Sequence, residues 1–483
     1  MSSHAQKSFK VRLHALSPLH IGCDDAYEPT GFVVDRAGKQ LIAFDPIDFV
    51  QSLDSADRRT FLNICEKGTL GSLVELYKFM DGRKSLVQGR AIGISDGFLA
   101  GYDRVLRLSP GSEHEIRQEL NKFLIARTSY LPRDNAAYVP GTSLKGALRT
   151  GWLNHLHGGA QNKIEARQAR DFEKNLLGGS FDADPMRMVK VSDLLPVGQP
   201  KTLIRFAVNK KKKPSKHEAK GPQQILEVIH PDQDAVFEGM ISLLAPERGA
   251  RITRPVPSGV EFFRRATDFF VAELACEETM LRGISIPAEI QKNMRQSFGE
   301  AFLKNVFPVR LGRHSGADAV TIKGLRAIRI MGKKGDPAKI GSTPLTTWLA
   351  GESPKAERGL QPFGWAALEI LPADLGTPWR ERIVIERAPG IVDTPLRNTS
   401  ATPPITTEIL VWESAVLIWA PGNATLTAVG EDGKKATKKL AGDRDQVPAA
   451  LHKSLFDKKK ATPAKVTVRK EGNLFEIVKI EEK

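Results

Sequence analysis

Val139-Pro140-Gly141-Thr142-Ser143-Leu144-Lys145-Gly146-Ala147-Leu148-Arg149-Thr150 sets two glycines around a Ser-Leu-Lys core, ahead of an amphipathic run through Trp152, Leu153 and Leu156. The pattern predicts a Pro-Gly turn feeding a helix. Unpaired N–H groups and the positive end of the helix dipole make such a start an anion site. The turn would add a hydroxyl and a lysine. The plainer alternative is an ordinary surface helix capped by Thr142 or Ser143. Three better-known glycine motifs do not fit. A P-loop needs lysine directly after its second glycine, where Ala147 stands. A nucleophile elbow needs glycine two residues after the serine, where Lys145 stands. A dinucleotide fingerprint needs a third spaced glycine that Leu144 to Arg149 does not supply.

Composition narrows the anion. The chain has 483 residues, long enough for two or three domains, and 71 basic against 56 acidic residues give it a net charge of +15. Such a balance suits a polyanion, because neutralising phosphates releases counterions. Aromatic residues are only 7% of the chain, which disfavours a groove built mainly from stacked bases and favours contact with phosphate and sugar. No apolar run has spanning length and the first ten residues lack a signal-peptide core, so a cytoplasmic protein with no membrane partner is expected. Cys23, Cys65 and Cys276 are scattered, without a C-x-x-C pair, which argues against disulfides and zinc.

Along the chain, Phe9 to Leu16 alternates as a half-buried strand does, and Gly31–Asp35 with Leu41–Phe44 reads as a hairpin. Asp45-Pro46 starts a helix. Helical spacing follows over 51–80, 112–126 and 161–177, and strand alternation over Met186–Leu194. The lysine-rich stretch Asn209–Lys220 reads as a mobile loop. Strand material at 227–244, helices over 259–275 and up to Leu303, and strands at 307–311 and 362–370 complete the main body. Beyond about residue 371, proline, threonine and glycine accumulate, and short strands then follow. Lysines at 434, 435, 438, 439 and 458–460 make this a small basic all-β module.

Four segments taken in order resemble the RAMP superfamily of CRISPR proteins: Leu16-Ser17-Pro18-Leu19-His20-Ile21-Gly22, the central glycine segment, Leu311-Gly312-Arg313-His314-Ser315-Gly316, and Leu360-Gln361-Pro362-Phe363-Gly364-Trp365. The likeness spans roughly residues 8–370, and the Pro-Phe-Gly-Trp ending points to the backbone-capping (fifth) Csm subunits of type III-A interference complexes. The resemblance implies an α+β fold of two ferredoxin-like (RRM-like) modules, assigned here to 1–200 and 201–370. The module at 371–483 lies outside it. It also implies a non-catalytic subunit that binds crRNA toward its 3′ end, at the tip of a filament of RAMP subunits. The implied partners are crRNA, other Csm subunits, host nucleases for crRNA trimming and, indirectly, target RNA. The second glycine-rich loop departs from relatives in having Ala317 after Gly316.

On this reading Lys145 and the Ser143 and Gly146 amides hold RNA phosphates, with Gly141, Thr142 and Arg149 around them. Lys145 and Arg149 stand at i, i+4 on one helical face and would grip successive phosphates. Gly312, Arg313, His314, Ser315 and Gly316 supply a second contact, and His20 with Gly22 a third. No residue is assigned to catalysis, metal or cofactor. Two rivals remain open. One is an endoribonuclease using Asp24 and Asp25 with a metal, or His20 or His14 as acid or base. The other is a structural subunit whose basic faces meet only proteins. His155 and His157, at i, i+2, do not share a helical face and have no ligand companions.

Overall fold

The computed structural model describes residues 7–371 and 408–482, apart from 110–112, 159–168, 220, 247–248, 253 and 331–338 in the first stretch and 421–424, 431–433, 441–446, 458–459 and 472–473 in the second. It divides into two compact units, residues 1–377 and 378–483.

The first unit is built on two large sheets and also holds a two-stranded ribbon, Ile328–Ile330 with Lys339–Gly341. Lys7–Ala15 alternates as its sequence predicts, with Val11, Leu13 and Ala15 buried. It lies between Val236–Leu243 and Trp365–Ile370, antiparallel to both, so Leu13 faces Phe237 on one side and Leu368 on the other. Val306–Arg310 extends the sheet beyond Trp365–Ile370, while Val189–Val191 and Leu195–Pro196 pair with Val236–Leu243. Helices Gly141–His157 and Val260–Gly283 pack with this sheet in one core, where Leu144, Leu148 and Trp152 meet Phe262, Phe263 and Phe270. The two helices cross closely at Gly151. A Cβ there would lie 1.7 Å from the Ala266 carbonyl oxygen, so only glycine fits.

The second sheet runs Gly22–Ala26, Ile125–Thr128, Ile225–Ile229, Thr202–Lys211, Arg90–Gly93, Gln40–Ala43, Phe32–Asp35, with Thr346–Gly351 also paired to Thr202–Lys211. Two of its pairings are parallel, Ile125–Thr128 with Ile225–Ile229 and Arg90–Gly93 with Thr202–Lys211. Its core gathers Ile204 and Phe206 with Phe98 and Tyr102 of the helix Asp96–Arg107. Leu281, near the end of the 24-residue helix Val260–Gly283, joins this second core, so one helix serves both sheets.

The architecture is a mixture of helix and sheet, as expected. Both sheets, however, draw strands from each side of the boundary expected at 200/201. That boundary therefore falls inside the sheets and not between them. The lysine stretch is also partly ordered: Lys210 and Lys211 extend a strand against Thr347 and Thr346, and Lys212 pairs with Asp318. Met186–Leu194 begins as a short 3-10 turn, Pro185–Met188, because proline fixes φ and lacks an N–H; the strand starts only at Val189. Of the helix expected over 161–177, Ala169–Leu176 is described and 161–168 lies outside the described residues.

In the second unit, Glu408–Ala420, Thr425–Val429, Lys435–Lys439, Thr462–Glu471 and Leu474–Glu481 close into a barrel. Around the barrel the order is first, second, third, fifth, fourth, with the fourth strand paired back to the first. Third and fifth strands are parallel. A short helix, Ala449–His452, and the wider turn Lys453–Asp457 stand between the third and fourth strands and bring Leu451, Leu455 and Phe456 into the core. This five-stranded Greek-key arrangement is that of an OB barrel, so the module is not purely β. Residues 372–407, Lys458 and Lys459 lie outside the described residues. Among the described residues, no helix is long and apolar enough to cross a membrane.

Candidate nucleic-acid interface

The helix expected from the central segment runs from Gly141 to His157, with Pro140 as its N-cap and no capping side chain of its own. Its start is already occupied. Asp193 Oδ1 accepts from the Gly141 amide at 2.8 Å, so a carboxylate of the chain sits at the positive end of the dipole. The Ser143 amide donates to the Pro140 carbonyl at 2.9 Å, and Gly146 lies inside the helix, its amide committed to the helical ladder. The expected grip on phosphate by these amides is thereby corrected. Gly141 itself is buried.

What the helix offers instead is its side. Thr142 and Gly146 are exposed, and Ser143, Lys145 and Arg149 are half-buried on the same stretch. A Cβ at Gly146 would meet nothing within 4 Å. Glycine inside a helix costs roughly 0.5–1 kcal/mol against alanine. Nothing among the described residues accounts for it here, and its smallness leaves room for a close approach from outside. Lys145 forms no ion pair among the described residues, and its pKa is held below the usual lysine value by burial first and then by the neighbouring Lys190, with Arg149 adding to it.

Lys145 and Arg149 border an open pocket of about 430 Å³ that also includes Phe181, Asp184, Arg187 and Lys190. Four cations face one carboxylate. Asp184 Oδ2 holds Arg149 Nη1 at 2.6 Å, leaving Lys145 and Lys190 as the uncompensated pair. Phe181 is 74% exposed, and the Arg187 guanidinium lies 4.7 Å from its ring centroid. Phe181, Arg187 and Lys190 were not singled out in the sequence. The signal was an aromatic following Gly178-Gly179, both at positive φ, in an aromatic-poor chain.

The other three motif segments converge. The Gly312 backbone, at φ +77°, passes so close to residue 20 that a Cβ would stand 2.3 Å from the His20 carbonyl oxygen, which also accepts from the Arg313 amide at 2.8 Å. Gly364 donates to the Pro18 carbonyl and accepts from the Leu311 amide, and the Ser17 hydroxyl accepts from the Trp365 amide at 2.8 Å. The Ser315 hydroxyl is buried and turned inward, 2.8 Å from the Leu311 carbonyl and 2.7 Å from that of Gly312. His20 is completely buried, its Nδ1 2.7 Å from the Glu227 carbonyl oxygen. Burial lowers its pKa. His20 and Ser315 therefore hold loops together and are corrected as direct RNA contacts. Gly22, Arg313 and Gly316 remain exposed, and Gly312 and His314 half-exposed. The His314 ring packs 5.3 Å from that of Trp348 and 5.2 Å from that of Phe363, with its pKa pushed down to about 4 by burial, Arg313 and His20.

The groups proposed for catalysis are tied up differently. Asp25 Oδ2 accepts from the Tyr130 hydroxyl at 2.9 Å and lies 3.4 Å from Arg127, whose guanidinium stacks 3.5 Å over the Tyr130 ring. Asp24 is exposed and adopts φ +59°. His14 pairs with Glu369 at 2.9 Å. His155 stacks beside Trp152, and His157 is buried against Phe172. Among the described residues, no cluster of three or more His, Cys, Asp or Glu side chains is placed to hold a metal.

Residues 12–245 match the family model of the RAMP superfamily. The CRISPR system Cms protein Csm5 of Methanocaldococcus jannaschii is 21% identical over 199 residues, 39% of this chain and 43% of that protein. The chain thus matches less than half the length of this relative. Among solved structures, a chain of a cryo-EM Csm–crRNA–target RNA ternary complex of a type III-A CRISPR-Cas system is 17% identical, with a TM-score of 0.48 over 75% of this chain and 100% of that one. The crystal structure of T. onnurineus Csm5 is 16% identical, with a TM-score of 0.39 over 64% of this chain and 91% of that one.

Proposed function

We propose, from the premise that this chain is a Csm5-like protein of the RAMP superfamily, that it is a non-catalytic crRNA-binding subunit of a type III-A CRISPR complex. It caps the filament of RAMP subunits near the crRNA 3′ end and supports crRNA maturation there. Its partners are crRNA and other Csm subunits, with host nucleases recruited for trimming. The observation that carries this reading is the side of the Gly141–His157 helix, where Lys145 forms no ion pair among the described residues and stands beside the open face of Gly146. A phosphate there would offset both the burial and the repulsion from Lys190 and Arg149 that hold the lysine below its usual value. Arg313 and Gly316, on the exposed side of the second loop, form a further contact.

Lys145→Glu tests it. We expect crRNA affinity to fall at least about tenfold at moderate salt, uniformly across sequences, with the slope of log affinity against log salt shallower by about one. Unchanged affinity and slope would leave the chain a purely protein-contacting subunit. The nuclease rival is separated by the double change Asp24→Ala, Asp25→Ala. RNA binding should persist and crRNA length and target cleavage in the assembled complex should stay as they were. Loss of cleavage with binding retained would favour the enzyme.

A further inference from the structure

The pocket beside the helix combines two features that phosphate binding alone does not need. One is a large apolar ring held out in solvent, and the other a guanidinium laid against that ring. Phe181 follows Gly178 and Gly179, whose positive φ values, 100° and 104°, turn the chain away from the helix Ala169–Leu176. The residue then opens the short turn Phe181–Ala183, which the Asp184 amide closes on the Phe181 carbonyl at 3.2 Å. An aromatic side chain 74% exposed has forgone most of the burial that normally stabilises such a ring. Arg187 lies over the ring at 4.7 Å and is steadied by Asp182 at 3.3 Å. Ring and guanidinium offer flat, apolar or cationic faces to a pocket that Lys145 and Lys190 also line.

We propose that Phe181 and Arg187 form the stacking platform for one unpaired nucleobase of the bound RNA, whose own phosphate rests on Lys145 and Lys190. This rests on the RNA-binding reading above and deepens it by naming the ligand class as a single-stranded nucleotide with a free base face. A paired base inside a duplex presents no face to such a platform, whereas a splayed base stacks on aromatic rings and on guanidinium planes alike. The surrounding charge selects nucleic acid over an apolar protein segment, since Arg149 and Arg187 are paired with Asp184 and Asp182 while Lys145 and Lys190 form no ion pair among the described residues, a surplus that suits an anionic backbone and penalises burial of a neutral surface. A stacked base contributes sequence-tolerant affinity.

The test compares, on the full-length chain, a single-stranded oligoribonucleotide with an abasic oligomer of equal length and the same ribose-phosphate backbone. The wild-type protein should prefer the base-bearing strand by about 5- to 100-fold. Phe181→Ala should reduce that preference at least fivefold and leave affinity for the abasic strand unaltered, while Phe181→Trp, which keeps a stacking face, should preserve it. Lys145→Glu should weaken both strands together. If Phe181→Ala leaves the preference intact while Lys145→Glu weakens both strands, the platform is wrong and the phosphate grip stands. If Lys145→Glu changes neither, the grip itself has failed. If Phe181→Ala spares RNA but releases the chain from the assembled complex, the ring is a protein contact and the proposal is overturned.

Discussion

At the scale of single residues, Asp193 fills the start of the Gly141–His157 helix, while Lys145 and Arg149 line the pocket along its side. Lys145 and Arg149 could be placed on one face because i, i+4 spacing fixes that much without a structure. Asp193 could not be foreseen as the group that fills the helix start, since it lies far along the chain and reaches Gly141 only through tertiary packing. His20 illustrates the same limit. A histidine beside a turn glycine reads as a surface contact, yet it is sealed beneath Gly312 and bonded to the Glu227 backbone. His314 has a measurable consequence. Its folded pKa lies near 4 against an ordinary 6.5, so the unfolded chain takes up the extra proton between those values. Its stabilising contribution is whole above about pH 6.5 and declines as pH falls toward 4, by an amount on the order of 3 kcal/mol. Urea titrations of the wild type and of His314→Asn, a residue that tolerates positive φ, should show the gap between them closing over that range. A gap constant with pH would mean that His314 is protonated alike in both states.

At the scale of elements, alternation and capping were reliable guides. Lys7–Ala15, the Phe32–Asp35 and Gln40–Ala43 hairpin, and the Asp45-capped helix at Pro46–Ser52 stand where their patterns predict. Thr202–Lys211 was missed because its run of lysines looked like solvated loop, although its earlier residues alternate toward a core and its lysine end pairs with Thr346–Gly351. Helix contacts were equally hidden. Gly151 reads as a weak point inside a helix, and only the crossing at Ala266 explains it. Gly151→Ala should destabilise the first unit by about 1–3 kcal/mol through overpacking, lowering its denaturation midpoint with little change in slope. A neutral substitution would show that the two helices slide apart at no cost. Gly146→Ala, in contrast, should stabilise the free protein slightly, since its side is open.

At the scale of the whole molecule, periodicity says which face of a strand is buried but not which strand lies beside it. The interleaving of residues 7–15, 236–243 and 365–370 in one sheet was therefore beyond reach of local pattern, as was the order of strands that makes the last unit an OB barrel. The composition changes near residue 371, and the two units, residues 1–377 and 378–483, each have a core of their own. Calorimetry should resolve two transitions, and a chain ending at Leu371 should retain the transition of the first unit. A single merged transition lost on truncation would contradict separate cores. The central claim, that RNA lies along the side of the Gly141–His157 helix and not at its start, is tested most directly by photo-crosslinking crRNA to the full-length chain and mapping the modified peptides. We predict adducts on the peptides carrying Lys145 to Arg149 and Phe181. Adducts confined to other surfaces, with both of these peptides unmodified, would contradict the account.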